Sequence, residues 1–348
     1  MRGAVVLFAV ACMLGGAACR EGGDAFNDAP TDSPPDGVDG TGCTPRTPRT
    51  TPVQAFVGPD GLHDRIAAAI DSAQKTLDIQ MYLFSVKDLA QHVVTARQRG
   101  VAIRVILDPD EAGNGAIETI FSNGGVQWKE SSKVYQYSHA KYLLIDRTTA
   151  VVMSMNLNGD AMTIERNYGF VDTDPEDVTD IQNVFEQDWL LAQGKTPPAA
   201  DLACTRMIVS PVNSFQRVLD FINGAHTTLD VEVMYIADAT IQAAIANAAG
   251  RGVTVRVIVE DPNDTTQNAG VAAFMATRGM PVKYAVQQFY LHAKLLIADG
   301  VAFVGSENMS TTSMTANREM GALVFEPDQV SIIQTQFESD WAITTPAM

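Results

Sequence analysis

Two histidines, two lysines and two asparagines recur in this chain at matching spacing. His139-Ala140-Lys141 is followed five residues after the lysine by Asp146, and His292-Ala293-Lys294 is followed at the same distance by Asp299. Downstream of each copy stands an Asn in a Ser-x-Asn triplet, Ser154-Met155-Asn156 and Ser306-Glu307-Asn308. One His-x-Lys is commonplace by chance. Two in equivalent places, each with its Asn, read as the halves of one site. The chemistry they suit is attack on a phosphodiester. Such a bond is anionic, so a catalyst needs a nucleophile, an acid for the leaving oxygen and fixed donors for the phosphoryl oxygens. Two imidazoles can supply the first two roles. Two ammonium groups and two side-chain amides can supply the third. No metal-ligand spacing is visible, and no metal or cofactor is expected.

These residues lie in a duplicated domain. Leu77-Asp78 matches Leu229-Asp230, Arg99-Gly100-Val101 matches Arg251-Gly252-Val253, and Phe185-Glu186-Gln187-Asp188-Trp189 matches Phe337-Glu338-Ser339-Asp340-Trp341, all at an offset of about 152. Each copy reads as α/β. Leu62, Ile66, Ala69, Ile70 and Ala73 keep a helical period, as do Phe215, Val218, Leu219, Ile222 and Ala225. Strand-like runs follow at Leu77 to Leu83 and Leu229 to Ile236, then at Val101 to Leu107 and Val253 to Val259. Between them, helical stretches end at Gly100 and Gly252, where glycine suits a helix C-terminus. The His-Ala-Lys segments read as strands. Alternation then places His139 with Lys141, and His292 with Lys294, on one face. An amphipathic helix carrying Trp189 or Trp341 closes each copy, with the Trp packed in the core.

The pattern HxKxxxxD with a following GSxN resembles the phospholipase D superfamily over about residues 53 to 348. The resemblance implies two similar α/β/α sandwich domains, related by a pseudo-two-fold axis, with one active site between them. It implies a covalent phosphohistidine and no metal requirement. His139 and His292 would be nucleophile and acid/base, and Lys141, Lys294, Asn156 and Asn308 would bind phosphate. Ser154 and Ser306 would help with phosphate or backbone positioning, and Asp146 and Asp299 would be structural supports.

The copies depart from each other twice. The family places an acidic residue behind the His, which is Glu319 in Asn317-Arg318-Glu319; the first copy reads Glu165-Arg166-Asn167. A carboxylate behind an imidazole favours the imidazolium, and a neutral amide does not. Paired within each copy, Glu319 would make His292 the acid, and Asn167 would leave His139 neutral as the nucleophile. The second departure is Met153, where Gly305 supplies the family's Gly. A backbone with positive φ there would strain Met.

The chain opens on Arg2, an apolar run from Ala4 to Leu14 and small residues before Cys19. Residues 1–18 read as a secretory signal peptide. Cys19 is a candidate for lipidation, although Gly16 stands where a lipoprotein signal prefers Leu. Simple secretion and an uncleaved anchor are the alternatives. Residues 19–52 read as a disordered tether, 53–196 as the first repeat, 197–204 as a linker and 205–348 as the second. Export makes a Cys43–Cys204 disulfide chemically reasonable, with two free thiols as the alternative.

Formal net charge is −17. Losing residues 1–18 with Arg2 makes it −18, and the tether holds three basic against six acidic residues, leaving about −15 for the folded part. A basic stripe for nucleic acid is missing, though Lys141, Lys294, Arg166 and Arg318 could make the site locally positive. The expected substrate is therefore a phospholipid at a membrane surface, hydrolysed or passed to another alcohol. The expected state is an exported monomer, since one chain carries both half-sites. The alternatives are a metal-independent nuclease and a cardiolipin-synthase-like transferase. The latter is often accompanied by membrane helices, and none follows residue 18.

Overall fold

The computed structural model describes residues 49–202 and 204–347. The first repeat runs β1 (Gln54–Gly58), α1 (Leu62–Ser72), β2 (Thr76–Met81), α2 (Lys87–Gln98), β3 (Ala102–Leu107), α3 (Gly115–Asn123), β4 (Gln127–Glu130), β5 (Tyr142–Ile145), β6 (Thr149–Met153), β7 (Glu165–Asp172) and α4 (Pro175–Ala192). The second runs β8 (Met207–Ser210), α5 (Ser214–Asn223), β9 (Thr228–Val233), α6 (Ala239–Gly250), β10 (Thr254–Val259), α7 (Val271–Ala276), β11 (Val282–Tyr284), β12 (Tyr290–Leu291), β13 (Lys294–Ala298), β14 (Val301–Gly305), α8 (Thr311–Thr315), β15 (Glu319–Val324), α9 (Pro327–Ile343) and β16 (Thr345–Pro346). The sheet orders are β1-β7-β6-β5-β2-β3-β4 and β8-β15-β14-β13-β9-β10-β11-β16, so the duplication extends to topology. In each, the βαβ units are parallel and the strands around the motif antiparallel.

Alternation along β5 shows how the layers form. Leu143 and Ile145 pack with Ile66, Ile70, Val93 and Phe121 in a core private to the first repeat. Tyr142 and Leu144 face a second core, shared with Leu295, Val304 and Met320 of the other repeat. Residues two apart on a strand share a face, so one strand feeds both layers. Phe185 and Phe337 from α4 and α9 are buried in the shared core, each stacked on its Trp with ring centroids 6.1 Å apart. Trp189 is buried, whereas Trp341 is only partly so. Gly100 and Gly252 follow α2 and α6 with φ of +98° and +93°, a conformation open to glycine.

The histidines do not lie in strands, contrary to the alternation reading. β5 begins at Tyr142 and β13 at Lys294. The chain just ahead of each strand crosses to the opposite sheet instead. His139 N donates to Arg318 O at 2.8 Å, next to a bridge between Ser138 and Arg318. β12 adds in parallel to β7, Tyr290 opposite Glu165 and Leu291 opposite Arg166, and His292 N donates to Arg166 O at 3.1 Å. The backbone N–H of each His is thus satisfied by the other repeat.

Candidate active site

The crossing brings each histidine against the strand start of the opposite repeat. His139 Nδ1 lies 2.8 and 3.0 Å from the Glu319 carboxylate oxygens. His292 Nδ1 lies 3.1 Å from Asn167 Oδ1. The pairing within each copy is therefore corrected: Glu319 backs His139, and Asn167 backs His292.

Lys141 and Lys294 are almost wholly buried, and each Nζ donates to the carbonyl of its own histidine, at 2.5 and 2.6 Å. Asn156 and Asn308 are each 7% exposed, and neither Oδ1 has a partner. Tyr82, at the end of β2, sets its ring edge against His139 with centroids 4.8 Å apart, and Lys141 Nζ lies 5.1 Å from the same ring.

The electrostatics show that the two halves form one site. Burial holds the His139 pKa down to about 4, with Lys141 and Lys294 adding to the effect and Glu319 only partly opposing it. Burial followed by Lys294, Lys141 and His139 takes His292 well below the usual imidazole range. Lys141 falls to about 7 by burial, against the pull of Glu319 and Asp108. Lys294 falls well below its ordinary value by burial and then by Lys141. Burial pushes Glu319 up, but His139 and Lys141 leave it below the ordinary carboxylate range. Burial is the first cause for all four basic groups, and the carboxylates of Glu319 and Glu165 only partly offset it for the lysines. A phosphodiester anion bound beside them would favour their charged forms.

Of the two roles expected of the serines, phosphate positioning is corrected, and the geometry is that of backbone positioning. Ser154 Oγ donates to Asn167 Oδ1 at 2.7 Å and accepts from Tyr168 N at 3.0 Å. Ser306 Oγ donates to Glu319 Oε2 at 2.7 Å and accepts from Met320 N at 3.0 Å. Both hydroxyls are used behind the histidines, where they hold the amide or carboxylate in place. Arg166 and Arg318 add no free positive charge to the site either. Arg166 pairs with Asp340 at 2.7 Å and Arg318 with Asp188 at 2.9 Å, each across the boundary between the repeats. Asp146 and Asp299 sit beyond the far ends of β5 and β13. Asp146 accepts from the main-chain N–H groups of Gln74, Lys75 and Thr76, and Asp299 from those of His226, Thr227 and Thr228. Cys204 is disulfide-bonded; the predicted partner Cys43 and the lipidation candidate Cys19 lie outside the described residues.

Gly305 does not adopt positive φ. Its reason is space. A Cβ there would collide with the Glu307 carboxylate and lie 2.8 Å from Gly321 Cα. In the first repeat Met155 replaces Glu307, so Met153 meets no carboxylate and its backbone is unstrained.

Two supports escaped the motif reading. Asp108 Oδ2 accepts from Ser138 N at 2.6 Å, and Glu260 Oε2 accepts from Leu291 N. Both acids are buried at the C-terminal ends of β3 and β10, fixing the residue before each His. Their signal is the acidic residue directly after each strand-like run, Val101 to Leu107 and Val253 to Val259.

A family model described as "Cardiolipin synthase, PLD-like domain" matches residues 66–189 and again 218–341. A cardiolipin synthase of Listeria welshimeri is 24% identical over 333 residues, covering 83% of this chain and 68% of that protein. A mitochondrial cardiolipin hydrolase of Chlamydomonas reinhardtii is 30% identical over 129 residues, covering 37% of this chain and 57% of that protein. Among solved structures, phosphatidylserine synthase of Haemophilus influenzae shares the fold with a TM-score of 0.69 at 13% identity, over 85% of this chain and 87% of the other.

Proposed function

Because the chain belongs to the phospholipase D-like, cardiolipin-synthase family, with its domain present twice, we propose that it transfers a phosphatidyl group from a phospholipid to an alcohol. Water serves as the competing acceptor. The observation that carries this is the convergence of the two histidines, each with its Nδ1 held by a side chain of the opposite repeat and each with a buried lysine two residues on. The cardiolipin synthase relatives favour transfer over hydrolysis alone.

His139 Nε2 attacks phosphorus while the bond to the leaving oxygen breaks, and His292 Nε2 delivers a proton to that oxygen. The incoming alcohol or water then gives its proton to His292 and its oxygen to phosphorus, returning the P–N electron pair to His139. Lys141, Lys294, Asn156 and Asn308 hold the phosphoryl oxygens. The roles follow from the crossed partners. Attack places positive charge on the phosphorylated imidazole, and only His139 has a carboxylate at 2.8 Å to balance it. His292 needs its proton only while substrate charge is present. A neutral amide behind it lets that proton go more readily than a carboxylate would.

The residues named here form a site of the right chemistry for a lipid diester, and export with lipidation at Cys19 would bring it to a membrane. No helix among the described residues is long and apolar enough to cross one. The test is phosphatidylglycerol vesicles with the protein in EDTA. Diphosphatidylglycerol and glycerol should form, both lost in His139→Ala, and rapid quenching should trap the phosphatidyl adduct on His139. DNA cleavage without lipid turnover would sink the lipid reading, and an adduct on His292 would reverse the roles.

A further inference from the structure

The half-sites use the same residue types around a central arginine but exchange acid and amide: Glu165-Arg166-Asn167 against Asn317-Arg318-Glu319. In both, the first and third side chains are joined, Asn317 Nδ2 to Glu319 Oε1 at 3.0 Å and Asn167 Nδ2 to Glu165 Oε2 at 2.9 Å. The exchange does not remove the carboxylate from the His292 half. It moves it one step back: Glu165 Oε2 stands 3.7 Å from His292 Nδ1, and the Asn167 amide beside it makes the shorter contacts, 3.1 Å to the imidazole and 2.9 Å to the carboxylate. Glu165 is 5% exposed, and it has Lys294 as an electrostatic neighbour.

This arrangement fixes a proton. The neighbours of an amide decide which way it faces. Carboxylate Glu165 accepts only from an N–H, so Asn167 Nδ2 must face it. Asn167 Oδ1 then faces His292 and also accepts from Ser154 Oγ, whose own lone pair is taken by Tyr168 N. An acceptor opposite Nδ1 requires Nδ1 to carry the hydrogen. That leaves Nε2 as the nitrogen that gains and loses a proton.

Resting on the phosphohistidine reading above, we infer that Glu165 is a positioning residue for the general acid. Acting through Asn167, it sets the His292 tautomer and balances the transient imidazolium from farther away than Glu319 serves His139. The chain thereby grades its two carboxylates: direct for the histidine that must stay charged while bonded to phosphorus, relayed for the one that must release a proton.

The test separates leaving groups. Methyl p-nitrophenyl phosphate releases p-nitrophenolate, a stable anion that gains little from an acid, whereas the phenolate released from methyl phenyl phosphate needs one. The rate of phosphohistidine formation is measured with both, in wild type and Glu165→Gln. The loss on the phenyl ester should exceed that on the p-nitrophenyl ester by about 10- to 100-fold, part of what general acid catalysis supplies. Equal losses on both esters, or no loss, overturn the proposal. The double exchange Glu165→Asn with Asn167→Glu guards against a folding defect. It puts a carboxylate directly behind His292, and should recover the phenyl ester and carry the upper limb of its pH profile to higher pH. An unmoved limb overturns the proposal too. If wild type forms no phosphohistidine from either ester, the enzymatic reading itself has failed.

Discussion

At the scale of single side chains, the asymmetry between Ser306-Glu307-Asn308 and Ser154-Met155-Asn156 sets what each half can tolerate. Glu307 is completely buried, and burial followed by Glu319 pushes its pKa well above the ordinary carboxylate range. Burial and the Glu319 charge both favour the neutral form of Glu307, while His139 and Lys141 favour the charged form of Glu319. Gly305 is the space that Glu307 occupies. Gly305→Ala should cost about 1–3 kcal/mol, measured by denaturant unfolding, through overpacking against Glu307, Gly321 and Phe303. The histidine predicts a pH effect of definite sign. His139 ionises at about 4 when folded against 6.5 as an ordinary imidazole, so between those values the unfolded chain binds the proton and the folded chain does not. Stability that is complete above pH 6.5 should fall on acidification through that window, and the fall should be shallower in His139→Gln.

At the scale of elements, the motif strands are held at both ends by different means. At the far end of β5, Asp146 adopts φ of +52° and gathers three main-chain N–H groups from the start of β2. Asp146→Asn keeps a residue suited to that backbone but weakens the acceptor. It should destabilise by about 1–2 kcal/mol in thermal or chemical unfolding while leaving the site of phosphorylation on the same histidine. At the near end, the chain leaves its own sheet to bond Arg166 or Arg318 of the other. Local pattern could give the strand and its length to within a few residues. It could not say that the residues preceding the strand take their hydrogen bonds elsewhere, because alternation records burial and not the identity of the neighbour.

At the scale of the whole molecule, the repeats are joined through charge pairs placed directly behind the catalytic groups. Arg318, which precedes Glu319, is 1% exposed and bonds Asp188 of the other repeat. Asp188 also accepts from Gln80 and Tyr135. Removing one member of a buried pair strands the other. Asp188→Ala should therefore cost about 3–5 kcal/mol in unfolding free energy. Its effect should reach turnover, because the displaced Arg318 carries Glu319 with it. The repeated Phe-Glu-x-Asp-Trp segments held this information, but a sequence reading took from them only a closing helix with a core Trp.

The chain by itself determined the duplication, the α/β class and which residue types gather for phosphodiester chemistry, because spacing and periodicity are properties of neighbouring positions. Only the tertiary structure decided which acid stands behind which histidine. That choice depends on two strand starts 125 and 180 residues distant from their histidines, joined across the boundary between the repeats. It also moved Ser154 and Ser306 from the phosphate to the groups behind the imidazoles, and turned Gly305 from a question of backbone conformation into one of space. In each case the deciding quantity was a distance between residues far apart in the chain, which no local pattern encodes.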